Sequence, residues 1–188
     1  MKTGIFSGSF NPVHIGHLAL ANYLCEFVGF DEIWFLVTPN NPTKESVFLI
    51  DANVRLEMVK MAVAGYPKFK VSDVEFSLPK PTYTINTLRA LRALHPERDF
   101  RLIIGADNWQ IFPQWKSADA IRKEFGIVVY PRKGYIANDM ETLPEGVVFV
   151  DAAPLFDISS SFLREALHEK KEIRFLLPAG VYEYLGGF

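Results

Sequence analysis

The residues best suited to chemistry in this sequence are two histidines, His14 and His17, at the end of the stretch GSFNPVHIGH. A short apolar segment precedes the stretch and a helical pattern follows it, so a buried strand is expected to lead through a turn into a helix. Main-chain N–H groups, the positive end of the helix and two imidazoles would then meet at one point, an arrangement that binds polyphosphates.

Three further residues of this stretch support the phosphate-binding interpretation. Gly8 permits close approach of the main chain, Phe10 can anchor the turn in the core, and Gly16 leaves room for a phosphate between the histidines. The alternative is that His14 and His17 are polar helix caps or residues at the edge of the core.

A serine run near the C-terminus is a second candidate phosphate site. Ser159, Ser160 and Ser161 precede an apolar helical pattern, where hydroxyl side chains commonly cap the first turn. The same turn would present N–H groups and hydroxyls to an anion, and Arg164 would reach the same phosphates with a bidentate fork. Lys44 is a further candidate cation, although a loop lysine is more often simply solvated.

Two residues in the middle of the chain are candidates for binding the sugar and the ring of a nucleotide. Asp107 follows an apolar strand pattern, so its carboxylate would lie at the end of that strand and accept ribose hydroxyls. The alternative role of Asp107 is a helix cap. Trp115 could stack on a flat ring through its π face, although a single tryptophan is more often a core residue.

The elements that must position these residues alternate between β-rich apolar runs and helical patterns. This alternation predicts an α/β fold, a Rossmann-like doubly wound parallel sheet of about five to six strands that binds ligands at the carboxyl ends of its strands. The predicted strands are residues 3–6, 33–37, 70–74, 101–104, 126–130 and 147–150, and the predicted helices are 18–28, 52–64, 84–94 and 118–123.

Two further patterns concern the second helix and the loops. Val54, Met58, Met61 and Ala62 follow the helical period and are expected to face the core. Residues 38–50 and 131–146 are rich in proline, glycine and asparagine and are predicted to be loops. Because both loops follow predicted strands, both are expected to border a site or to close over it.

Composition excludes several classes of protein. The 188 residues suggest a single domain spanning 1–188, and a formal net charge of −2 indicates no broad basic surface for nucleic acid. No apolar run reaches the roughly 18 residues of a membrane span, and no signal peptide is evident, so no membrane partner is expected. Cys25, the one cysteine, is predicted to be a small core residue, which fits a reducing cytoplasm.

The two phosphate motifs, GSFNPVHIGH and ISSSFLR, resemble those of the nucleotidylyltransferase superfamily, whose fold is of the adenine nucleotide alpha-hydrolase-like type. HIGH is also shared with class I aminoacyl-tRNA synthetases, but this chain is too short for a synthetase and has no KMSKS-like sequence. Within the superfamily, Asn11 combined with His14 is typical of the enzymes that adenylylate nicotinate or nicotinamide mononucleotide.

The middle of the chain narrows the resemblance to the bacterial nicotinate-nucleotide adenylyltransferases. TYTINTL at 82–88 is similar to their SYTIDTL, and GADN at 105–108, Trp115 and PR at 131–132 also resemble their segments. The resemblance covers residues 4 to 164. The sequence departs from the family at Thr43, where a histidine is frequent, and at Asn86, where an aspartate is usual.

The resemblance implies a role for each matching position. The catalytic residues would be His14, His17 and Arg164. ATP would be bound by Gly8, Ser9, Phe10, His14, Gly16, His17, Ser159, Ser160 and Arg164. The second substrate would be bound by Lys44, Tyr83, Thr84, Gly105, Asp107, Trp115 and Arg132, with Thr84 and Trp115 holding the pyridine ring.

The reaction that the resemblance implies is transfer of AMP from ATP to nicotinate mononucleotide, with ATP as co-substrate and Mg²⁺ carried on its phosphates. The attacking phosphate oxygen is already anionic, so the reaction needs positioning and charge stabilisation rather than a general base. Nicotinamide mononucleotide, or both mononucleotides, remains an alternative substrate. The sequence also leaves open a nucleotide sensor without turnover and an enzyme that acts on a lipid or sugar phosphate.

Overall fold

Six apolar segments form one parallel sheet in the computed structural model, which describes residues 1–39, 49–135 and 143–186. The strand order is β3-β2-β1-β4-β5-β6, and every neighbouring pair is parallel. The strands are β1 Lys2–Gly8, β2 Glu32–Val37, β3 Phe69–Ser72, β4 Asp99–Gly105, β5 Ile127–Tyr130 and β6 Val147–Phe149. The predicted parallel sheet is therefore confirmed.

Helices cover both faces of this sheet, as a doubly wound fold requires. In the described residues the α-helices are α1 Ile15–Phe27, α2 Ala52–Val63, α3 Thr84–Leu94, α4 Ala106–Ile111, α5 Ala118–Phe125, α6 Ser160–His168 and α7 Val181–Tyr184. Buried residues of α1, α2, α6 and α7 pack into one apolar cluster, and those of α3, α4 and α5 pack into a second cluster on the opposite face.

The centre of the sheet is where the direction of strand addition reverses. From β1 the chain adds β2 and β3 on one side, and it then returns to place β4 on the other side of β1, with Phe6 beside Ile103. Gly8 and Gly105 end these two central strands, so both lie at the same edge of the sheet. Ligands of open α/β sheets bind in the crevice at this reversal.

The start of α1 differs from the sequence prediction. The helix begins at Ile15 rather than at residue 18, so Gly16 and His17 belong to its first turn. Glycine lowers helix propensity and conceals this turn in the sequence. The N–H groups of a first turn have no intrahelical acceptor, so those of Gly16 and His17 are not engaged in the regular hydrogen bonds of the helix.

Other elements also differ from the sequence prediction. Val74, predicted to be in a strand, lies in the 3₁₀ helix Val74–Phe76 and packs against the second apolar cluster. The helix predicted at 118–123 extends to Phe125, whose ring is buried. The short helix α4 has no counterpart in the sequence prediction, because six residues are too few to show a helical period.

The buried face of α2 is shifted from the predicted one. Met58 is buried as expected, but Met61 is 39% exposed, while the side chain of Arg55 is almost fully buried. Charged residues are rarely buried, so a periodicity analysis assigns an arginine to the solvent face unless its partners are known. Hydrogen bonds to main-chain carbonyls explain the burial of Arg55 and are described below.

Most of the two predicted loops falls outside the described residues, which omit 40–48 and 136–142. Lys44 therefore lies outside the part of the chain that the structure describes. Of the second loop, residues 131–135 and 143–146 are described, and Arg132 and Tyr135 form a short antiparallel bridge. None of the helices in the described residues is both long and apolar enough to span a bilayer.

Candidate active site

A cleft of about 810 Å³ opens at the carboxyl edge of the sheet, near the ends of β1, β4 and β5. Its volume lies within the range of small-molecule sites. The predicted site residues that line it are His14, Gly16, His17, Asp107, Arg132 and Ser159. Folding therefore brings together residues from the opening motif, the middle of the chain and the C-terminal serine run.

The two histidines lie at the N-terminus of α1 with their rings stacked. His14 is the N-cap residue, and the ring centroids are 3.6 Å apart with planes inclined by 28°. The main-chain N–H of His14 donates to Nδ1 of His17 at 3.2 Å, and the main-chain N–H of His17 donates to the carbonyl of His14 at 3.0 Å. Because Nδ1 of His17 accepts, its neutral ring carries the proton on Nε2, which is the atom able to donate to a phosphate.

His14 is buried, and its Nδ1 has no hydrogen-bond partner among the described residues. Burial, with a smaller effect of the nearby Arg132 charge, lowers the pKa of His14 to about 4. The imidazole is therefore neutral at pH 7 without ligand. A buried polar atom without a partner beside a helix N-terminus is suited to receive an anionic ligand.

At two positions of the site, glycine is required because a Cβ atom would come too close to neighbouring side chains. A Cβ at Gly16 would lie 3.1 Å from Nδ1 of His14 and 3.3 Å from Cβ of Phe156, so a larger residue would crowd the imidazole. A Cβ at Gly105 would overlap Oδ1 of Asp107. Both glycines therefore leave space for polar groups of the site rather than supplying an unusual backbone angle.

Arg164 and the serine run fasten α6 to the opening motif. One guanidinium nitrogen of Arg164 donates to the carbonyl of Asn11 at 2.9 Å, and Oγ of Ser160 donates to the carbonyl of Pro12 at 2.9 Å. Ser159 has the capping role that its sequence suggested, because its Oγ accepts from the main-chain N–H of Phe162 at 3.2 Å. Arg164 thus lies beside the histidine turn, although it is not among the residues lining the cleft.

The lining of the cleft also contains two carboxylates that are paired with cations. Asp107 lies in the first turn of α4, whose N-cap is Gly105, and its Oδ1 is 3.6 Å from Nε of Arg132. A helix cap is the alternative role predicted for Asp107, but Gly105 occupies the N-cap position of α4. Lys133, after β5, forms an ion pair with Asp157, before α6, and both residues line the cleft.

Three of the residues predicted to bind the second substrate form a separate group on the α3 side of the sheet edge. Tyr83 is the N-cap residue of α3, Thr84 is its first residue, and Trp115 ends the 3₁₀ helix Phe112–Gln114. Nζ of Lys116, the neighbour of Trp115, lies 4.1 Å from the ring centroid of Tyr83. None of the three predicted residues lines the cleft beside the histidines.

Several apolar residues of the cleft were absent from the sequence prediction. Tyr135, Leu155 and Phe162 line it while remaining 40%, 59% and 51% exposed. Exposed aromatic and aliphatic side chains inside a cleft suit a flat heterocycle. Their nearness in the sequence to the PR segment at 131–132 and to the serine run could have indicated a place in the site. An isolated apolar residue in a sequence, however, is usually a core residue.

Metal-binding side chains are not concentrated anywhere in the described residues. No group of three or more His, Cys, Asp or Glu side chains there could hold a metal ion. The carboxylates among the described residues lining the cleft are Asp107 and Asp157, and each is paired with a cation.

Comparison with known sequences identifies close relatives of this chain. Residues 5–166 match the cytidylyltransferase-like family. A protein of Bacteroides fragilis strain YCH46, named probable nicotinate-nucleotide adenylyltransferase, is 56% identical over 97% of this chain and 90% of its own length. A Bacteroides thetaiotaomicron protein of the same name is 53% identical over 98% of this chain and 91% of its own length.

Comparison with solved structures identifies the same fold. The Plasmodium falciparum nicotinic acid mononucleotide adenylyltransferase complexed with NaAD matches with a TM-score of 0.81 and 21% identity over 98% of this chain and 95% of that chain. The same enzyme complexed with APC matches with a TM-score of 0.79 and 20% identity over 98% of this chain and 94% of that chain.

Proposed function

The chain belongs to the cytidylyltransferase-like family, and we propose that the histidine cleft is where it transfers AMP from ATP to nicotinate mononucleotide. Relatives that share more than half of its residues carry the name nicotinate-nucleotide adenylyltransferase, and ATP is the co-substrate of such an enzyme. The observation that carries the assignment of the site is the stacked histidine pair at the N-terminus of α1, facing a cleft that also contains Arg132.

The reaction exchanges one phosphoanhydride bond for another. An oxygen of the 5′-phosphate of nicotinate mononucleotide forms a bond to the α-phosphorus of ATP. The bond from that phosphorus to the bridging oxygen of the β-phosphate breaks, and pyrophosphate leaves with the electron pair. Since the attacking oxygen is already anionic at neutral pH, no proton has to be removed and no covalent enzyme intermediate is needed.

The protein's task in this scheme is to hold two anionic groups in line and to offset the charge of the leaving group. His14 would align the attacking phosphate and the α-phosphate through its available ring nitrogen. His17 would donate from Nε2, since its Nδ1 already accepts from the main chain. Arg164, next to the same turn, would offset charge on the transferred and leaving phosphates with guanidinium donors not used by Asn11.

Binding of the adenosine part is assigned to the cleft. Ser159, with the apolar group Tyr135, Leu155 and Phe162, would contact the adenine and ribose. Gly8, Ser9 and Phe10 would act through their main chain, because the side chain of Phe10 is buried in the core. Arg132 and Asp107 line the cleft as a pair and would contact the nucleotide at the end of β4.

The pyridine ring is assigned to the group of Tyr83, Thr84 and Trp115. Trp115 would stack on the ring, while Thr84 and main-chain N–H groups at the start of α3 would receive its carboxylate. A helix N-terminus favours a carboxylate over a neutral amide. This preference supports nicotinate over nicotinamide mononucleotide as the acceptor.

Mg²⁺ is proposed to arrive with ATP. Magnesium bound to a nucleotide usually keeps several waters and phosphate oxygens as ligands, and it needs few from the protein. This fits a cleft whose two described carboxylates are already paired with cations. The ion would offset part of the phosphate charge, and the residues named above would orient the phosphates.

The proposal is tested by measuring pyrophosphate release from ATP and Mg²⁺ with three acceptors: nicotinate mononucleotide, nicotinamide mononucleotide and phosphopantetheine. We expect rapid release with the nicotinate compound only. The His17→Ala variant, purified in the same way, controls for contaminating enzymes. Faster release with either other acceptor contradicts the proposed substrate. Measurable ATP binding without release with any acceptor contradicts the proposed enzyme and supports a nucleotide sensor.

A further inference from the structure

We propose that Arg55, a residue of α2 outside the cleft, positions the phosphate-binding turn for the reaction. Its guanidinium donates to four main-chain carbonyls at distances of 2.5 to 2.9 Å. They belong to Ser9 in the opening motif, Thr38 and Pro39 after β2, and Ile50 before α2. One side chain thus holds three separate segments of the carboxyl edge.

Burial makes this arrangement unusual for a charged group. Arg55 is only 1% exposed, and every hydrogen bond of its guanidinium within the described residues goes to a main-chain carbonyl rather than to a carboxylate. A buried guanidinium without an ion-pair partner is costly unless its N–H groups are satisfied. Four carbonyl acceptors in fork-like geometry meet that need, and lysine, with a compact ammonium, cannot reproduce it.

The contact with Ser9 links this side chain to the chemistry. A peptide unit is planar and trans, so fixing the carbonyl of Ser9 toward Arg55 directs the N–H of Phe10 to the opposite side. Phe10 has a φ of +44°, a left-handed conformation that the surrounding contacts must hold in place. Arg55 therefore fixes the orientation of the turn at Gly8 to Phe10 through the carbonyl of Ser9.

A second set of contacts ties the same segments together. The main-chain N–H of Ile50 donates to Oδ1 of Asn11 at 3.1 Å, and the N–H of Thr38 donates to the carbonyl of Gly8 at 3.0 Å. Residues on both sides of 40–48 are thus joined to the opening motif. Arg55 also places a positive charge behind a turn proposed to receive a polyphosphate, which raises the local potential for anions.

This inference rests on the proposed function, because it assumes that the turn at Gly8 to Phe10 binds ATP. It assigns Arg55 the role of a positioning residue, since its guanidinium contacts the main chain and not the substrates. A purely structural arginine would lower stability without changing turnover at temperatures where the protein stays folded. A positioning arginine changes turnover in the folded protein, because displacement of about 1 Å at a reacting group can slow a reaction about 100-fold.

The experiment compares Arg55→Met and Arg55→Lys with a matched control, Arg98→Met. Arg98 is also mostly buried, pairs with Glu32 and lies over the ring of Trp34, but it precedes β4 at the opposite edge of the sheet. For each protein, kcat and KM for ATP and nicotinate mononucleotide are measured well below the midpoint of thermal unfolding, together with that midpoint.

We expect Arg55→Met to lower kcat about 100-fold and Arg55→Lys to lower it at least about tenfold, because lysine retains the charge but not the fork. Arg98→Met should lower the unfolding temperature while kcat stays near that of the wild type. If Arg55→Met does not fold, Arg55→Lys decides the result alone. Folded Arg55 variants with wild-type kcat and KM overturn the inference. An inactive wild type would instead overturn the proposed function.

Discussion

At the scale of single residues, the site depends on how neighbouring groups fix each imidazole. His17 has its proton position assigned by a main-chain donor to Nδ1, while His14 is neutral because burial opposes its charged form. We therefore expect the two histidines of one motif to have different tasks. In the proposed site His17 would act as a donor, and the buried Nδ1 of His14 would gain a partner when a ligand binds.

Replacing His17 by alanine removes a donor expected to act mainly in the transition state. We expect kcat to fall by about 100-fold or more, whereas KM for ATP changes by only a few-fold. Steady-state kinetics with varied ATP measures both constants. His168→Ala is the control, because His168 is exposed at the end of α6. An unchanged kcat with weaker ATP binding would contradict the catalytic role of His17.

The lowered pKa of His14 predicts a dependence of stability on pH. In the unfolded chain this imidazole takes up a proton near pH 6.5, but in the folded protein it stays neutral down to about pH 4. The unfolded state therefore binds more protons between these values, and the free energy of unfolding falls as the pH decreases. From pH 7 to pH 5 the loss should be about 2 kcal/mol.

Urea denaturation of the wild type and of His14→Gln at pH 7 and pH 5 checks this expectation. Glutamine has no titration in this range, so the variant should lose less stability than the wild type on acidification. Equal losses in both proteins would show that His14 is not the group responsible. Saturating ATP should reduce the loss in the wild type, because phosphate charge beside His14 favours its protonated form.

At the scale of elements, the site is assembled where helices begin. The N-cap and first turn of α1 carry the histidines, the first turn of α6 carries Ser160, and the first turn of α3 carries Thr84. Side-chain contacts then hold these turns to the sheet edge, as Ser160 does through the carbonyl of Pro12. The helix dipoles bring partial positive charge to one edge, where the substrate phosphates and the pyridine carboxylate are proposed to bind.

A buried carboxyl group accepts a hydrogen bond from α3, and its burial leads to a prediction about the stability of the protein. Oγ1 of Thr87, in the first turn of α3, donates to Oε1 of Glu75 at 2.9 Å. Burial raises the pKa of Glu75 above its usual value. A raised pKa in the folded state means that this group's contribution to stability is complete below pH 4.5 and is lost as the pH rises through the folded-state pKa.

We therefore expect Glu75→Gln, which keeps an acceptor for Thr87 but cannot ionise, to resist unfolding better than the wild type at pH 8. The difference should shrink at pH 5. Thermal unfolding at both pH values measures it, with Glu57→Gln on the exposed side of α2 as the control. A difference of the same size at both pH values would show that ionisation of Glu75 is not its cause.

At the scale of the whole molecule, the two proposed substrate regions lie on opposite sides of the sheet edge. The histidine cleft contacts the face covered by α1 and α6, whereas Tyr83 and Trp115 pack on the face covered by α3 and α5. The central strands β1 and β4 end between them. In the proposed binding mode, the doubly wound topology would place two phosphates near one point and keep their adenine and pyridine groups apart.

This separation predicts that a substitution in one region weakens the binding of one substrate and leaves that of the other unchanged. Trp115→Ala should raise KM for nicotinate mononucleotide about tenfold or more through loss of stacking, and it should leave KM for ATP nearly unchanged. Kinetics with each substrate varied in turn distinguishes the two effects. Trp34→Phe, in the buried part of β2, serves as the control. An equal rise in both KM values would contradict ring stacking by Trp115.

Sequence patterns were sufficient to predict the phosphate motifs, the alternation of strands and helices, and the resemblance to nicotinate-nucleotide adenylyltransferases. These features are local, because helix starts, apolar strands and motif spacing depend on residues that are neighbours in the chain. The histidines, the Ser159 cap and the buried Cys25 could therefore be predicted position by position.

Folding was needed to establish the strand order, the stacking of the histidines, the placement of Trp115 away from their cleft, and the burial of Arg55. Each of these depends on contacts between distant segments. Arg55 shows the reason most clearly, because its partners are the carbonyls of Ser9, Thr38, Pro39 and Ile50. Every residue has such a carbonyl, so no residue type in the sequence marks these acceptors, and only packing brings them to one guanidinium.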